Sequence, residues 1–451
     1  MSGRIYQEVE RLQSKLDELT SYPVSYKEWV ALRPSSKTIR HEYNVLRSKV
    51  EHEQENLLKN FKFLLEKEFF TSSVKQGVKE RVYEVSCQCS TSRLLVDITN
   101  YYRQYSDFIL KCIKGYTQVT ALVPAYNEEK CIGKTIESLL TQTVPFAEII
   151  VINDCSTDLT AEVAASYKGV KVLTPSKNGG KAEALNYGIE HVQTEYFLTI
   201  DADTILTPTC VEYMVPHMLN PKIGIVCGYV LPREITTLWE RGRFIEYIIG
   251  QGLSKKAQAR IKSILIAAGC CSLYRTQLVR QVGGYSERTI TEDLDLTWTI
   301  YEEGYLTRFE QRAKCFSLEP KSLKVYLKQL DRWDRGALQN MKIHSLRARG
   351  RLKGLFILYL IEAFLTPILG IVVVSFFPLS KIFLSLFLYT VVDLLFAGTL
   401  ATIIRWESRK EVWKYIPSYL IVRPLNMFAY ARALYKEYIR KEKLVDWVKG
   451  H

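Results

Sequence analysis

Residues 119–154 read VTALVPAYNEEKCIGKTIESLLTQTVPFAEIIVIND. The apolar run VTALVPAY leads into NEEKCIGKTIESLLTQ, which reads as a helix, and a second buried run, EIIVIND, follows. The alternation continues outward. STDLTAEVAASY (156–167) reads as a second helix with Ser156 or Thr157 near its cap, and Val170 to Leu173 as a third strand. NGGKAEALNYGIEHV (178–192) reads as a third helix, and YFLTIDAD (196–203) as a fourth strand. Continuous apolar strands between helices require a mostly parallel sheet with both faces covered, so the fold class is α/β. Ligands of such sheets bind at the carboxyl ends of strands. Asn127, Asp154 and Asp201 all fall at such ends.

Three clusters then follow in order: Asp201-Ala202-Asp203, Thr291-Glu292-Asp293 and Gln329-Leu330-Asp331-Arg332-Trp333. Two carboxylates one residue apart at a strand end can meet a divalent ion and a ribose from one edge. Hard oxygen ligands suit Mg²⁺ or Mn²⁺, with Asp203 expected to hold the metal and Asp201 to face a nucleotide. Asp293 is the candidate general base, since one carboxylate near that site suffices to take a hydroxyl proton. Thr291 also reads as the N-cap of a helix whose first-turn acids the dipole favours. Lys177, Gly179, Gly180 and Lys181 open a helix, a pattern that lets backbone N–H groups approach an anion. Trp333 offers an apolar face to a sugar, and Arg332 a fork for diphosphate oxygens. The turn Gly269-Cys270-Cys271-Ser272-Leu273-Tyr274-Arg275 follows an apolar run and reads either as an acceptor-channel lining or as a tight strand turn. The six His show no H-x-x-x-H spacing, so zinc is not indicated.

The flanks differ in character. Residues 1–116 read as helical, with Ile5, Val9, Leu12, Leu16 and Leu19 on one face and Val50, Leu57, Phe61 and Leu64 on another. No catalytic constellation stands out there. The charged start lacks an apolar h-region, which reads as no signal peptide. Residues 354–377 carry one charge, Glu362, in 24 positions, and 381–404 carry Lys381 and Asp393. Both match the length of about 20 apolar residues that crosses a bilayer. Basic flanks (Arg347, Arg349, Arg351 and Lys353; Arg405, Arg409, Lys410 and Lys414) place their outer ends in the cytosol and suit an anionic lipid face. A third segment, 413–435, contains Pro417, Arg423, Pro424 and Arg432 and reads as an interfacial helix or a third span. The net charge of +13 sits beside these apolar segments rather than in a basic tail, which disfavours nucleic acid. The 10 Cys form no C-x-x-C pair, which favours a reducing cytosolic setting.

Together PAYNEE, VINDCSTD, NGGKAEALNYG, DAD, TED and QLDRW resemble the family 2 processive glycosyltransferases: hyaluronan, cellulose, chitin and poly-N-acetylglucosamine synthases. The likeness covers roughly residues 117–440. It implies a GT-A-type nucleotide-sugar-binding domain, a UDP-sugar donor, Mn²⁺ or Mg²⁺, and an inverting single displacement onto a growing β-linked polysaccharide. It implies donor contacts from Ala125, Tyr126, Glu128, Asp154, Lys181, Asp201, Asp203, Gln329 and Arg332. Asp203 would be the metal ligand, Asp293 the base with Thr291 and Glu292 beside it, and Trp333, Cys271 and Gly269 the acceptor side. Asn153 replaces the first acid of the family's usual pair. The expected organisation is a helical region (1–116), a catalytic domain (117–345), interfacial and transmembrane helices (346–440) and an exposed or cytosolic tail (441–451). The resemblance implies an integral membrane protein, in the plasma membrane, with its catalytic domain cytosolic. So few spans suggest a membrane partner subunit or a homo-oligomer. A non-processive enzyme using a lipid-linked acceptor and a nucleotide-binding membrane scaffold are the competing expectations.

Overall fold

The four apolar runs pair in the computed structural model as their composition requires. Strands β1 (Val119–Ala125), β2 (Glu148–Asn153) and β3 (Val170–Leu173) lie side by side and parallel. Strand β4 (Tyr196–Thr199) joins the other edge of β1, also parallel. Helices α1 (Ile132–Leu140), α2 (Thr160–Ala165) and α3 (Gly180–His191) make the crossovers. The chain thus reverses its direction of travel across the sheet between β3 and β4. The crevice outside the carboxyl ends of β1 and β4 is a topological switch point, where open α/β sheets bind ligands.

The second half of the sheet is mixed. In chain order it comprises β5 (Ile205–Leu206), α4 (Cys210–Met214), β6 (Ile223–Pro232), α5 (Leu238–Ile249) and α6 (Lys255–Arg260). Then come β7 (Ser272–Arg275), α7 (Thr276–Gln281), α8 (Glu292–Glu302), β8 (Leu306–Ser317) and α9 (Leu323–His344). The strand order is β3-β2-β1-β4-β7-β6-β8-β5. β7 runs antiparallel to both β4 and β6, while β6 and β8 are parallel. β6, IGIVCGYVLP, is buried at every position, as a strand covered on both faces must be. Leu122, Ile152, Leu185, Phe197, Tyr274 and Ile300 anchor the main core, with the Phe197 and Tyr274 rings stacked at 5.2 Å. Each such side chain contributes about 1.5–3 kcal/mol by leaving water.

Residues 119–261, 264–345, 353–354 and 379–442 are described, without the side chains of 219, 379–390 and 393. The chain divides into two units, Met1–Thr117 and Gln118–His451, and all described residues belong to the second. The expected N-terminal helical region and the segment 355–378, most of the first expected span, lie outside the described residues. Helix α10 (Leu379–Ile404) occupies the place of the second expected span, and α11 (Arg409–Leu434) that of the third. Among the described residues no helix is long and apolar enough to cross a membrane. The charges and prolines of the third segment dilute its apolar content, and α11 packs along the catalytic domain. Val412 and Ile416 of α11 meet Phe244, Ile245 and Ile248 of α5, while Val422 and Ala429 meet Tyr326 and Leu330 of α9. Its other side leaves Leu420, Ile421, Met427 and Phe428 exposed.

Candidate active site

The loops at the carboxyl ends of β1 and β2 are stapled together. Asn127 and Cys155 both take positive φ, 55° and 57°, so each strand turns sharply at its end. Asn127 Oδ1 accepts from the Thr157 N–H (2.8 Å), and the Asn127 N–H donates to Ser156 Oγ (3.0 Å). Ser156 and Thr157 therefore tie the two loops rather than cap α2. Asp158 serves that end, accepting from the Thr160 N–H at 3.0 Å. Ala125 lends its carbonyl to the Asp154 N–H (2.9 Å), and the Glu128 N–H donates to Thr160 Oγ1 (2.7 Å). Glu128 is buried and Tyr126 half-buried beside it.

The glycine pair does not await an external anion. Both carboxylate oxygens of Asp154 are engaged there, by the N–H groups of Gly179 (3.0 Å) and Gly180 (2.8 Å). Gly180 needs its positive φ of 78° to present that N–H. Burial lifts the Asp154 pKa above its usual value, while the two glycine N–H bonds pull it back down. The expected anion site is thus filled by an internal carboxylate, and Asp154 shapes the loop that starts α3.

That loop aims Lys181 at the centre of the site. Lys181 Nζ lies 2.5 Å from Asp201 Oδ1, just past β4, and 3.6 Å from Glu292 Oε1, at the start of α8. Burial opposes the Lys181 charge, but Asp201, Glu292 and Asp293 more than reverse this and hold its pKa above the ordinary value. Burial raises the Glu292 pKa; Lys181 and Arg332 act against that rise and Asp293 adds to it. Arg332 of the third cluster is therefore electrostatically joined to the second.

Asp293 is held by two backbone donors. The Gly269 N–H donates to its Oδ2 (3.0 Å) and the Leu294 N–H to its Oδ1 (2.8 Å). Gly269 also lies against Lys181: a methyl there would come within 3.3 Å of Nζ. Its neighbour Cys271 turns inward, 1% exposed, with Sγ 3.6 Å from Cys210 Sγ. The backbone of that turn, not the Cys271 side chain, faces the site. Thr291 stands at the N-cap of α8 but makes no side-chain cap bond; its Oγ1 accepts from Asn340 Nδ2 (3.0 Å).

Helix α9 carries the third cluster, and a glycine lets it close on α8. A methyl on Gly336 would overlap Oγ1 and Cγ2 of Thr291. Gly336→Ala should cost about 1–3 kcal/mol by overpacking and lower turnover by shifting Thr291-Glu292-Asp293. Melting curves of G336A and of G336A/T291A check this, the second recovering part of the loss. The far side of α9 is locked by the π-turn Tyr435–Arg440 after α11. Glu437 Oε1 accepts from Arg335 Nε (2.7 Å) and Gln339 Nε2 (3.0 Å), and Lys436 Nζ reaches Asp331 Oδ2 (2.8 Å). Arg335 and Glu437 are both buried, so Glu437→Ala should destabilise by about 3–5 kcal/mol, read as a fall in thermal midpoint.

Asp203 is half-buried, with Oδ1 accepting from Thr204 Oγ1 (3.0 Å) and its carbonyl from Arg233 Nη1 (3.2 Å). Among the described residues no group of three or more His, Cys, Asp or Glu could hold a metal ion. One accessible carboxylate still fits Mg²⁺, which binds through one or two carboxylates with waters and substrate phosphates completing its shell. Gln329 and Trp333 both meet a residue absent from the sequence reading, Arg243 of α5. Gly336 at helical spacing after Trp333 was a readable sign of close helix contact; Arg243 and Asn340 left none.

Residues 120–283 match the model for glycosyl transferase family 2. The poly-beta-1,6-N-acetyl-D-glucosamine synthase of Staphylococcus epidermidis is 33% identical over 222 residues, 48% of this chain and 54% of that protein. The synthase of the same name from Staphylococcus aureus (strain COL) is 32% identical over the same shares. The chain spans about half the length of these curated relatives. A mannosyltransferase from Pyrobaculum calidifontis, solved in complex with GDP-Man and Mn2+, shares the fold at a TM-score of 0.50 and 20% identity. The match covers 72% of this chain and 88% of that one.

Proposed function

We propose, from the premise that residues 120–283 form a family 2 glycosyltransferase domain, that the protein is a membrane-bound inverting polysaccharide synthase. It would move a hexose or N-acetylhexosamine from a UDP-sugar to the end of a growing β-linked chain. The names of the relatives favour N-acetylglucosamine. One observation carries the reading: Lys181 draws the donor-side acid Asp201 and the start of α8, with Asp293, to a single point.

In this reading the acceptor hydroxyl oxygen attacks the anomeric carbon, the bond from that carbon to the diphosphate oxygen breaks, and Asp293 takes the hydroxyl proton. UDP leaves. Attack from the face opposite the diphosphate inverts the anomeric centre. The two N–H donors on Asp293 keep its carboxylate aimed, which is what a general base requires. Asp201 and the loops after β1 and β2 would hold the nucleoside. Arg332 would grip the diphosphate, and Trp333 the acceptor sugar. A divalent cation bound through Asp203 and the donor phosphates would offset the leaving group's charge. Membrane attachment is supported by the 24-residue stretch 354–377 with its single charge, and by the exposed Val392, Phe396 and Phe428. The basic flanks favour a cytosolic catalytic domain, and the plasma membrane is the proposed location.

The test is UDP release and product length with purified protein in nanodiscs, Mn²⁺ or Mg²⁺, and a panel of labelled UDP-sugars. One active sugar with a high-mass product supports the synthase. A short or lipid-linked product makes it a single-addition enzyme, and no turnover with any donor removes the reading.

A further inference from the structure

Arg243 lies in the middle of α5 and is 4% exposed. Its Nη1 donates to Glu246 Oε2 (2.9 Å) and its Nη2 to Gln329 Oε1 (2.9 Å). Its Nε stands 3.5 Å from Glu319 Oε2. The guanidinium also lies over two rings of α9, 4.6 Å from the centre of Tyr326 and 4.9 Å from that of Trp333. Tyr326, Gln329 and Trp333 are spaced i, i+3 and i+7, so they share one face of α9. A single buried cation therefore touches that face at three successive points.

We propose that Arg243 is the positioning residue of Trp333: anchored on α9 through Gln329, it sets the plane of the indole, and so governs how long a bound glycan is retained. The proposal rests on the glycosyltransferase reading above. Charge balance alone does not explain the arrangement. Glu246 and Glu319 would be neutralised as well by a lysine. A lysine has no planar fork, however, and cannot both stack on the indole and donate to Gln329. The guanidinium lies over the ring of Trp333, which is half-buried. The hub also extends outward. Glu246 Oε1 accepts from Asn426 Nδ2, and Asn426 Oδ1 accepts from the Tyr326 hydroxyl (2.7 Å). Helix α11 is thereby tied into the hub by the residue next to its exposed Met427 and Phe428.

The test uses the full chain and two independent readouts. Arg243→Lys should leave UDP affinity within about twofold of wild type while shortening the product, at equal UDP release, by about fivefold. Acrylamide quenching of tryptophan fluorescence should rise in R243K, and the rise should vanish in the W333F background. The quenching readout needs no turnover. If the wild type proves inactive with every donor, the glycosyltransferase reading fails while the positioning of Trp333 is still decided. Should R243K not fold, R243Q/E246Q/E319Q removes all three charges together and is read in the same way. Unchanged product length together with unchanged Trp333 quenching would overturn the proposal.

Discussion

Replacing Asp293 by Asn will lower kcat by about 10²–10⁴-fold while UDP binds as before. The geometry defines what this substitution changes. Each carboxylate oxygen accepts one backbone N–H, from Gly269 and from Leu294, so the group is oriented by the main chain rather than by mobile side chains. Asparagine keeps the shape but cannot take a proton, and its NH₂ group must face one of those donors. The nucleoside side of the site, built on β1, β2 and β4, is untouched. Calorimetric UDP binding and steady-state turnover, measured together, check it. If D293N turned over at the wild-type rate, Asp293 would not be the base, and Glu292 would be the next carboxylate to test.

Lys181→Met is expected to act on both stability and catalysis. The ammonium lies 2.5 Å from Asp201 and 3.6 Å from Glu292, and its side chain is 17% exposed. Removing one member of a buried ionic cluster costs about 3–5 kcal/mol, because the remaining charges lose their partner. Donor KM should rise as Asp201 loses its orientation. The pH dependence has a definite sign. Without Lys181 the folded-state pKa of Glu292, already above its ordinary value through burial, moves further up. A carboxyl whose folded pKa exceeds its unfolded one stabilises the fold below the unfolded value and loses that contribution as pH rises through the folded pKa. The deficit of K181M should therefore be largest at neutral and alkaline pH and shrink toward about pH 4, where the carboxyls protonate. Melting curves of both proteins across that range measure it. A pH-independent difference would mean that Lys181 is not the counter-charge of these acids.

The first half of the fold was legible because each element carried its own signal. β1, β2 and β4 are continuous apolar runs, and the helices between them separate polar from apolar faces. β8, LTRFEQRAKCFS, intersperses charges among its buried positions and sits beside a strand from 80 residues earlier, so no local pattern announces it. The site shows the same division. Asp201, Asp293 and Arg332 were readable as chemical types in a fixed order, and the structure joins their three clusters through Lys181 and Glu292. Reading Gly179-Gly180 as an anion cradle was chemically sound, but the sequence could not say that Asp154 would be the anion. Arg243 was invisible because its partner Gln329 is 86 residues away. The inward turn of Cys271 follows from the neighbouring Cys210 thiol and the close approach of Gly228, neither of which spacing reveals.

The π-turn after α11 also orders events during synthesis. A chain leaves the ribosome amino end first, and its segments begin to fold in that order. The sheet edge with Asp154 and Asp201 can form early, long before the last contacts exist. Arg335 of α9, which faces Asp331 on its own helix, receives its hydrogen-bond partners only when Glu437, and then the carbonyl of Glu442, have been added. A nascent chain that stops short of them would hold the formed sheet but a loosely seated α9. Premature termination would then release a protein whose sheet is formed but whose third cluster, Gln329 to Trp333, rides on a helix without its anchor.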